Sequence, residues 1–223
     1  MTFQETMKTL EAAGTAQNRK IYARHGVGAK LFGVSFADLY KLQKKIKKDH
    51  ALARQLWKTA NYDARNLALL IADPQQATAA ELDEWVSQID CHGHGDLLSR
   101  FLAAPSPHAK ALAEKWARSR QDYVAQTGWN TLAAITRDAS LPDSYFEEHL
   151  RTIERVIHSS ENRTRYAMNG ALIAIGIRSP SLQKLALAAA GRIGKVEVDH
   201  GETGCKTPDA VAYIKKTAGR KKR

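Results

Sequence analysis

Cysteine is nearly absent: Cys91 and Cys205 are the two in 223 residues, too few for a disulfide framework, so reduced thiols are expected. Long apolar runs are also missing. No stretch of about 18 or more apolar residues occurs, and the N-terminus lacks the charged, then apolar, then small-residue order of a secretory signal. No membrane partner is expected, and the location expected is cytoplasmic and nucleoid-associated. Alternating apolar and polar residues are scarce, with Lys195-Val196-Glu197-Val198 the lone strand candidate. Acid is in deficit, with 23 Asp and Glu against 34 Lys and Arg, which leaves a formal charge of +11. A field of that sign attracts polyanions, and nucleic acid is the leading candidate. Six of these cations sit in the tail from Lys215 to Arg223, so the body keeps +5 of the +11 as a surplus of its own.

What the sequence does have is helical periodicity, punctuated by helix-start signals. Ser35 with Asp38, Thr78 with Glu81, Ser119 with Asp122 and Ser140 with Asp143 each set a capping hydroxyl three residues before a carboxylate. Ser106-Pro107, Ser179-Pro180 and Thr207-Pro208 set one just before a proline, whose missing N–H has no partner to lose in a first helical turn. These signals predict an all-helical chain with helices over 3–14, 17–25, 35–48, 50–59, 62–73, 79–90, 96–104, 107–118, 120–138, 142–158, 162–177, 180–192 and 207–217. Leu67 to Ala72 and Ala171 to Ile175 are apolar on more than one face and must be covered on both sides. Helix pairs joined by short connections suggest stacked two-helix repeats with a concave inner face, which if basic would cradle a duplex.

Candidate functional residues fall into two groups. Arg118, Arg120, Arg163, Arg165 and Lys206 recur near predicted helix starts, where dipole complementarity normally places acids; a phosphate opposite them would explain their sign. Arg65 opens an otherwise apolar helix and needs a partner such as a carboxylate or a phosphate. Trp129, in Thr127-Gly128-Trp129-Asn130, is the tryptophan placed to meet nucleic acid. The second group is the segment Ile89-Asp90-Cys91-His92-Gly93-His94-Gly95-Asp96, dense in acid, thiol and imidazole, together with a later echo, Asp199-His200-Gly201-Glu202-Thr203-Gly204-Cys205. Zinc prefers four N or S donors in a tetrahedron, and neither cluster has the two-residue gap between cysteines that marks such sites. The first cluster is therefore read as a glycine-loosened helix entrance, and neither metal nor cofactor is expected. Gly26-Val27-Gly28 with Gly33 follows no strand and matches no phosphate-loop spacing.

From about Gly33 onward the chain resembles the bacterial DNA alkylation repair family, HEAT-like-repeat glycosylases that excise cationic alkylated purines. The resemblance is carried by Phe32 to Leu42, by Ala51 to Pro74 and by Lys115 to Trp129. It implies a HEAT-like superhelix over 1–217, with a basic flexible tail over 218–223, that holds double-stranded DNA across a concave basic groove and acts as a monomer. The family's tryptophan and the aspartate four residues later fall on His92 and Asp96. Asp96 would then stabilise positive charge growing on the sugar as the base departs, with His92 in place of the aromatic wall. The family's groove arginine falls on Gln126, and a further groove tryptophan falls on Gly170. Cys91, His94, His200, Glu202 and Cys205 are auxiliary candidates around the groove. Three readings follow: a glycosylase, a non-catalytic module that recognises bent, branched or damaged duplex, and a helical scaffold for an acidic protein.

Overall fold

The computed structural model describes the backbone of residues 1–221 and the side chains through Thr217. The basic tail expected over 218–223 lies, for its side chains and for residues 222–223 altogether, outside the described residues. Among the described residues there are thirteen α-helices and no β-strand. Lys195-Val196-Glu197-Val198 falls in an irregular segment instead of forming the strand its alternation suggested. No helix among the described residues is long and apolar enough to cross a membrane.

The chain divides into two compact units, Met1–His108 with Gly201–Gly204, and Ala109–His200 with the remainder from Cys205. The first contains α1 (Phe3–Ala13), α2 (Ala16–Arg24), α3 (Phe36–Ile46), α4 (His50–Lys58), α5 (Tyr62–Ile71), α6 (Ala79–Ser87) and α7 (His92–Leu98). Its centre is α5, all ten of whose residues are buried, with α1, α3, α4 and α7 packed against it. Leu67, Leu69, Leu70 and Ile71 have no exposed surface, and each contributes about 1.5–3 kcal/mol of burial before entropy is counted. Asp63, also fully buried, accepts hydrogen bonds from the backbone N–H groups of Phe32, Gly33 and Val34 at 2.6, 2.9 and 2.9 Å. This carboxylate ties the α2–α3 connection to the core helix. The connection turns at Gly33, φ +84°, where a Cβ would meet the Thr15 carbonyl oxygen at 2.6 Å. Beyond α7 the chain winds one π-helical turn, Ser99–Ala103, with the Ala104 N–H bonded to the Ser99 carbonyl at 2.9 Å.

The second unit contains α8 (Ala109–Ala117), α9 (Asp122–Ile135), α10 (Asp143–Val156), α11 (Asn162–Arg178), α12 (Pro180–Ile193) and α13 (Ala210–Lys221). Here α11 is the wrapped helix, in contact with α9, α10, α12 and α13. Both segments expected to need cover on two sides have it. At Gly128 a Cβ would lie 2.2 Å from the Ala117 nitrogen, so α8 and α9 meet where only glycine fits. Ser179 caps α12 as expected, accepting from the Leu182 N–H at 3.2 Å with Pro180 opening the helix.

Candidate functional site

The cluster from Asp90 to Asp96 is a helix entrance, as expected, but the helix begins inside it: Asp90 and Cys91 precede the helix and His92 to Asp96 lie on it. Cys91 is the N-cap of α7 without a side-chain capping bond, and the helix starts at His92, four residues earlier than expected. With seven residues, two of them glycine, α7 has little stability of its own. Packing holds it. His94 is 1% exposed and lies in an aromatic shell, its ring 5.0 Å from Tyr62 and 6.0 Å from Trp57. Trp57 stacks on Trp85 with ring centres 4.6 Å apart and donates its indole N–H to Gln88 at 2.7 Å.

The polar atoms of this cluster are arranged around His94. Its Nε2 faces the Tyr62 carbonyl oxygen at 3.3 Å, and its Nδ1 faces Asp90 Oδ1 at 3.4 Å. The ligand atoms of Asp90, Cys91 and His94 all lie within 4.8 Å of one another. Burial works against a charged ring, yet the Asp90 carboxylate and the Cys91 thiol outweigh it and hold the His94 pKa up at about 9. Hydrogen bonding to His94 in turn holds Asp90 below the usual carboxylate range. The other oxygen of Asp90 is 3.9 Å from Arg65 Nη1. Arg65 is spent inside the unit: it donates to the carbonyls of Gln88 and Trp57 at 2.9 and 3.3 Å, and its guanidinium lies 4.7 Å over the Trp57 ring. The partner anticipated for this charge is thus a pair of carbonyls and a carboxylate within the protein rather than a phosphate.

Next to the cluster is a cavity of about 320 Å³, lined by Tyr22, His25, Tyr62, Cys91, His92 and Asp96 among others. Asp96 is exposed at its edge. His92 is half-buried with its ring 6.1 Å from His25, so imidazoles stand where the family's aromatic wall was expected.

The remaining sequence candidates have different fates. Arg118, Arg120 and Lys206 are exposed and Arg163 is half-buried. Trp129 is in the core of the second unit, 2% exposed and edge-on to His149; α9 turns it toward packed helices, and the ring does not reach the surface. Arg165 donates to the carbonyls of Ser160 and Glu197 at 2.8 and 3.0 Å. At the start of α11 the anion opposite the helix is internal: Asp122 accepts from the backbone N–H groups of Thr164 and Arg163 at 2.7 and 3.0 Å. His200 lines a cavity of about 970 Å³ in the second unit with Arg165, Asn169 and Lys206, its Nε2 3.0 Å from the Thr207 hydroxyl. Glu202 and Cys205 are exposed, and among the described residues the metal-type group of Asp90, Cys91 and His94 includes neither of them, nor His92 or His200. Sequence reasoning missed Tyr62 and Asp90 as site residues; the four-residue step from Asp90 to His94 was the available signal.

The family model described as DNA alkylation repair enzyme matches residues 6–214. An uncharacterized protein of Listeria innocua is 32% identical over 225 residues, covering 99% of this chain and 99% of its own length. One of Listeria monocytogenes is 30% identical over 227 residues, covering 100% of both. A solved structure, described as a new family of proteins related to the HEAT-like repeat DNA glycosylases with affinity for branched DNA structures, superposes with a TM-score of 0.90 at 29% identity. It covers 99% of this chain and 95% of that one. The HEAT-like fold expected from the sequence is therefore the fold observed.

Proposed function

Because this chain belongs to the DNA alkylation repair enzyme family, we propose that it is a DNA-binding protein that recognises branched or distorted duplex by charge and shape and does not excise bases. One observation carries the choice between binding and excision. The positions that align with the family's groove residues hold a half-buried imidazole at His92, a 2% exposed amide at Gln126, and at Gly170 an exposed α-carbon with open space around it. A cation forming on the sugar would find neither the aromatic walls nor the arginine that hold and orient it. The affinity for branched DNA described for the structural relative supports the same reading, as does the formal charge of +11. Exposed Arg118, Arg120 and Lys206 would contact phosphates, and binding would be strongly salt-dependent.

The test is fluorescence anisotropy on a four-way junction and on a linear duplex of equal length, over a salt series. Tighter binding to the junction is expected, with Arg118→Glu and Arg120→Glu each weakening it and lowering the salt slope by about one. Equal affinity for both DNAs would remove the branched-structure reading, and no binding at low salt would leave the acidic-protein scaffold. A glycosylase remains the second reading, favoured by the exposed Asp96 carboxylate at the edge of an aromatic cavity. Release of alkylated base from methylated DNA, abolished in Asp96→Asn, would establish it over the first.

A further inference from the structure

The Tyr62 carbonyl can only accept a hydrogen bond, so the His94 nitrogen facing it at 3.3 Å, Nε2, must carry a hydrogen. That leaves the lone pair of a neutral His94 on Nδ1, which is buried and makes no hydrogen bond of normal geometry. Opposite Nδ1, at 3.4 Å, is an oxygen of Asp90, a second acceptor, and the Cys91 thiol completes a group within 4.8 Å. Two acceptors face to face need a cation between them, and the proton that occupies this place in a charged His94 is one that a metal ion can displace.

From this geometry we propose that Asp90, Cys91 and His94 bind a thiophilic divalent metal ion, zinc by the nature of its sulfur, nitrogen and oxygen donors. Tetrahedral bonds of about 2.0–2.3 Å put ligand atoms roughly 3.3–3.8 Å apart. The His94 and Asp90 atoms already stand at 3.4 Å. The Asp90 side chain, 67% exposed, is free to rotate toward the other two donors, all within 4.8 Å of one another. The surroundings match those of metal-binding histidines: a backbone carbonyl takes the far ring N–H, and Arg65, 3.9 Å from the other Asp90 oxygen, orients the carboxylate. On binding, the Cys91 thiol gives its proton to solvent and sulfur donates a pair to the metal; nothing is oxidised or reduced. With a carboxylate, a thiolate and an imidazole as donors, one tetrahedral position is left for water. The ion would staple the uncapped start of α7, the helix that carries His92 and Asp96.

Full-length protein without a histidine tag, stripped with chelator, is titrated with Co²⁺ and then Zn²⁺. Saturable uptake of about one Co²⁺ per chain is expected, with a thiolate-to-cobalt charge-transfer absorption that Zn²⁺ displaces. The absorption should persist in Cys205→Ser and vanish in Cys91→Ser. In Asp90→Asn, which keeps the shape of a side chain on the exposed edge, the affinity should fall by about tenfold or more. Circular dichroism confirms that each variant is folded, and should Cys91→Ser fail to fold, Asp90→Asn decides. Folded wild type with no thiolate band, or a band and affinity unchanged in Asp90→Asn, overturns the proposal; a proton then bridges His94 and Asp90.

Discussion

Asp90 to Asp96 and Asp199 to Cys205 are near-twins in composition, each short, glycine-rich and furnished with acid, imidazole and thiol, yet they have opposite structures. The first runs into a helix from His92, with Cys91 and His94 buried; the second belongs to an irregular stretch with Cys205 exposed. The difference lies in what each meets. His94 faces a wall of Tyr62 and Trp57, whereas the second cluster is held at its start by two hydrogen bonds between Asp199 and Asn162, and residues before and after it by single bonds, Arg165 to Glu197 and Asn169 to Pro208. Local composition marks reactive groups, and the apolar surface opposite decides whether they become an ordered site.

The largest effect that would sharpen this contrast is at the histidines. His94→Ala should cost about 2–4 kcal/mol in urea unfolding, because it empties a packed position, while His200→Ala should cost less than about 0.5 kcal/mol. Equal losses would break the comparison. Next come the arginines. Arg65→Met leaves the carbonyls of Trp57 and Gln88 without their donor inside the first unit and should cost about 2 kcal/mol. Arg165→Met should cost about 1 kcal/mol and speed proteolysis over 194–209, an increase that Arg65→Met should not produce.

Carboxylates give a smaller, pH-dependent contrast. Burial pushes Glu81 up, but hydrogen bonds from Arg54 and His50 outweigh it and hold Glu81 below its ordinary value. The stabilisation from Glu81 is therefore present above pH 4.5, the ordinary glutamate value, and is lost as pH falls through the lowered folded value. Glu81→Gln should lower the thermal midpoint near neutrality and flatten that acid limb; Glu197→Gln, at a surface pair with Lys195, should leave both unchanged. The smallest perturbation is thiol labelling: Cys205 should react in the native protein and Cys91 only on unfolding, and fast reaction at both would contradict the burial of α7.

Much of the fold was legible because helix entrances are local chemistry. The predicted helices over 62–73, 162–177 and 180–192 correspond to α5, α11 and α12 to within two residues at each end. The start of α7 was not legible, since Gly93 and Gly95 argue against a helix and only contact with Tyr62, some thirty residues earlier, argues for one. The same limit hid the roles of Arg65 and Arg165. A basic residue at a helix start reads as a phosphate ligand until the fold supplies carbonyls, or an acid such as Asp122 that lies 41 residues away from Arg163. At the site itself, the sequence singled out Asp96 and His92 along with Cys91 and His94, but not the division of labour among them, which depends on which way a seven-residue helix turns.

Through Ser99–Ala103 the bonding closes on the fifth residue instead of the fourth, so the rod there stores one residue more than its length requires. Deleting one residue of that turn would let ordinary winding close over the gap, leaving the rod unbroken and the bearing of its last residues nearly as it is. Residue count and bearing are thus separable in this stretch, and a sister sequence one residue shorter could keep the acid at 96 on its perch and the following turn on the same heading.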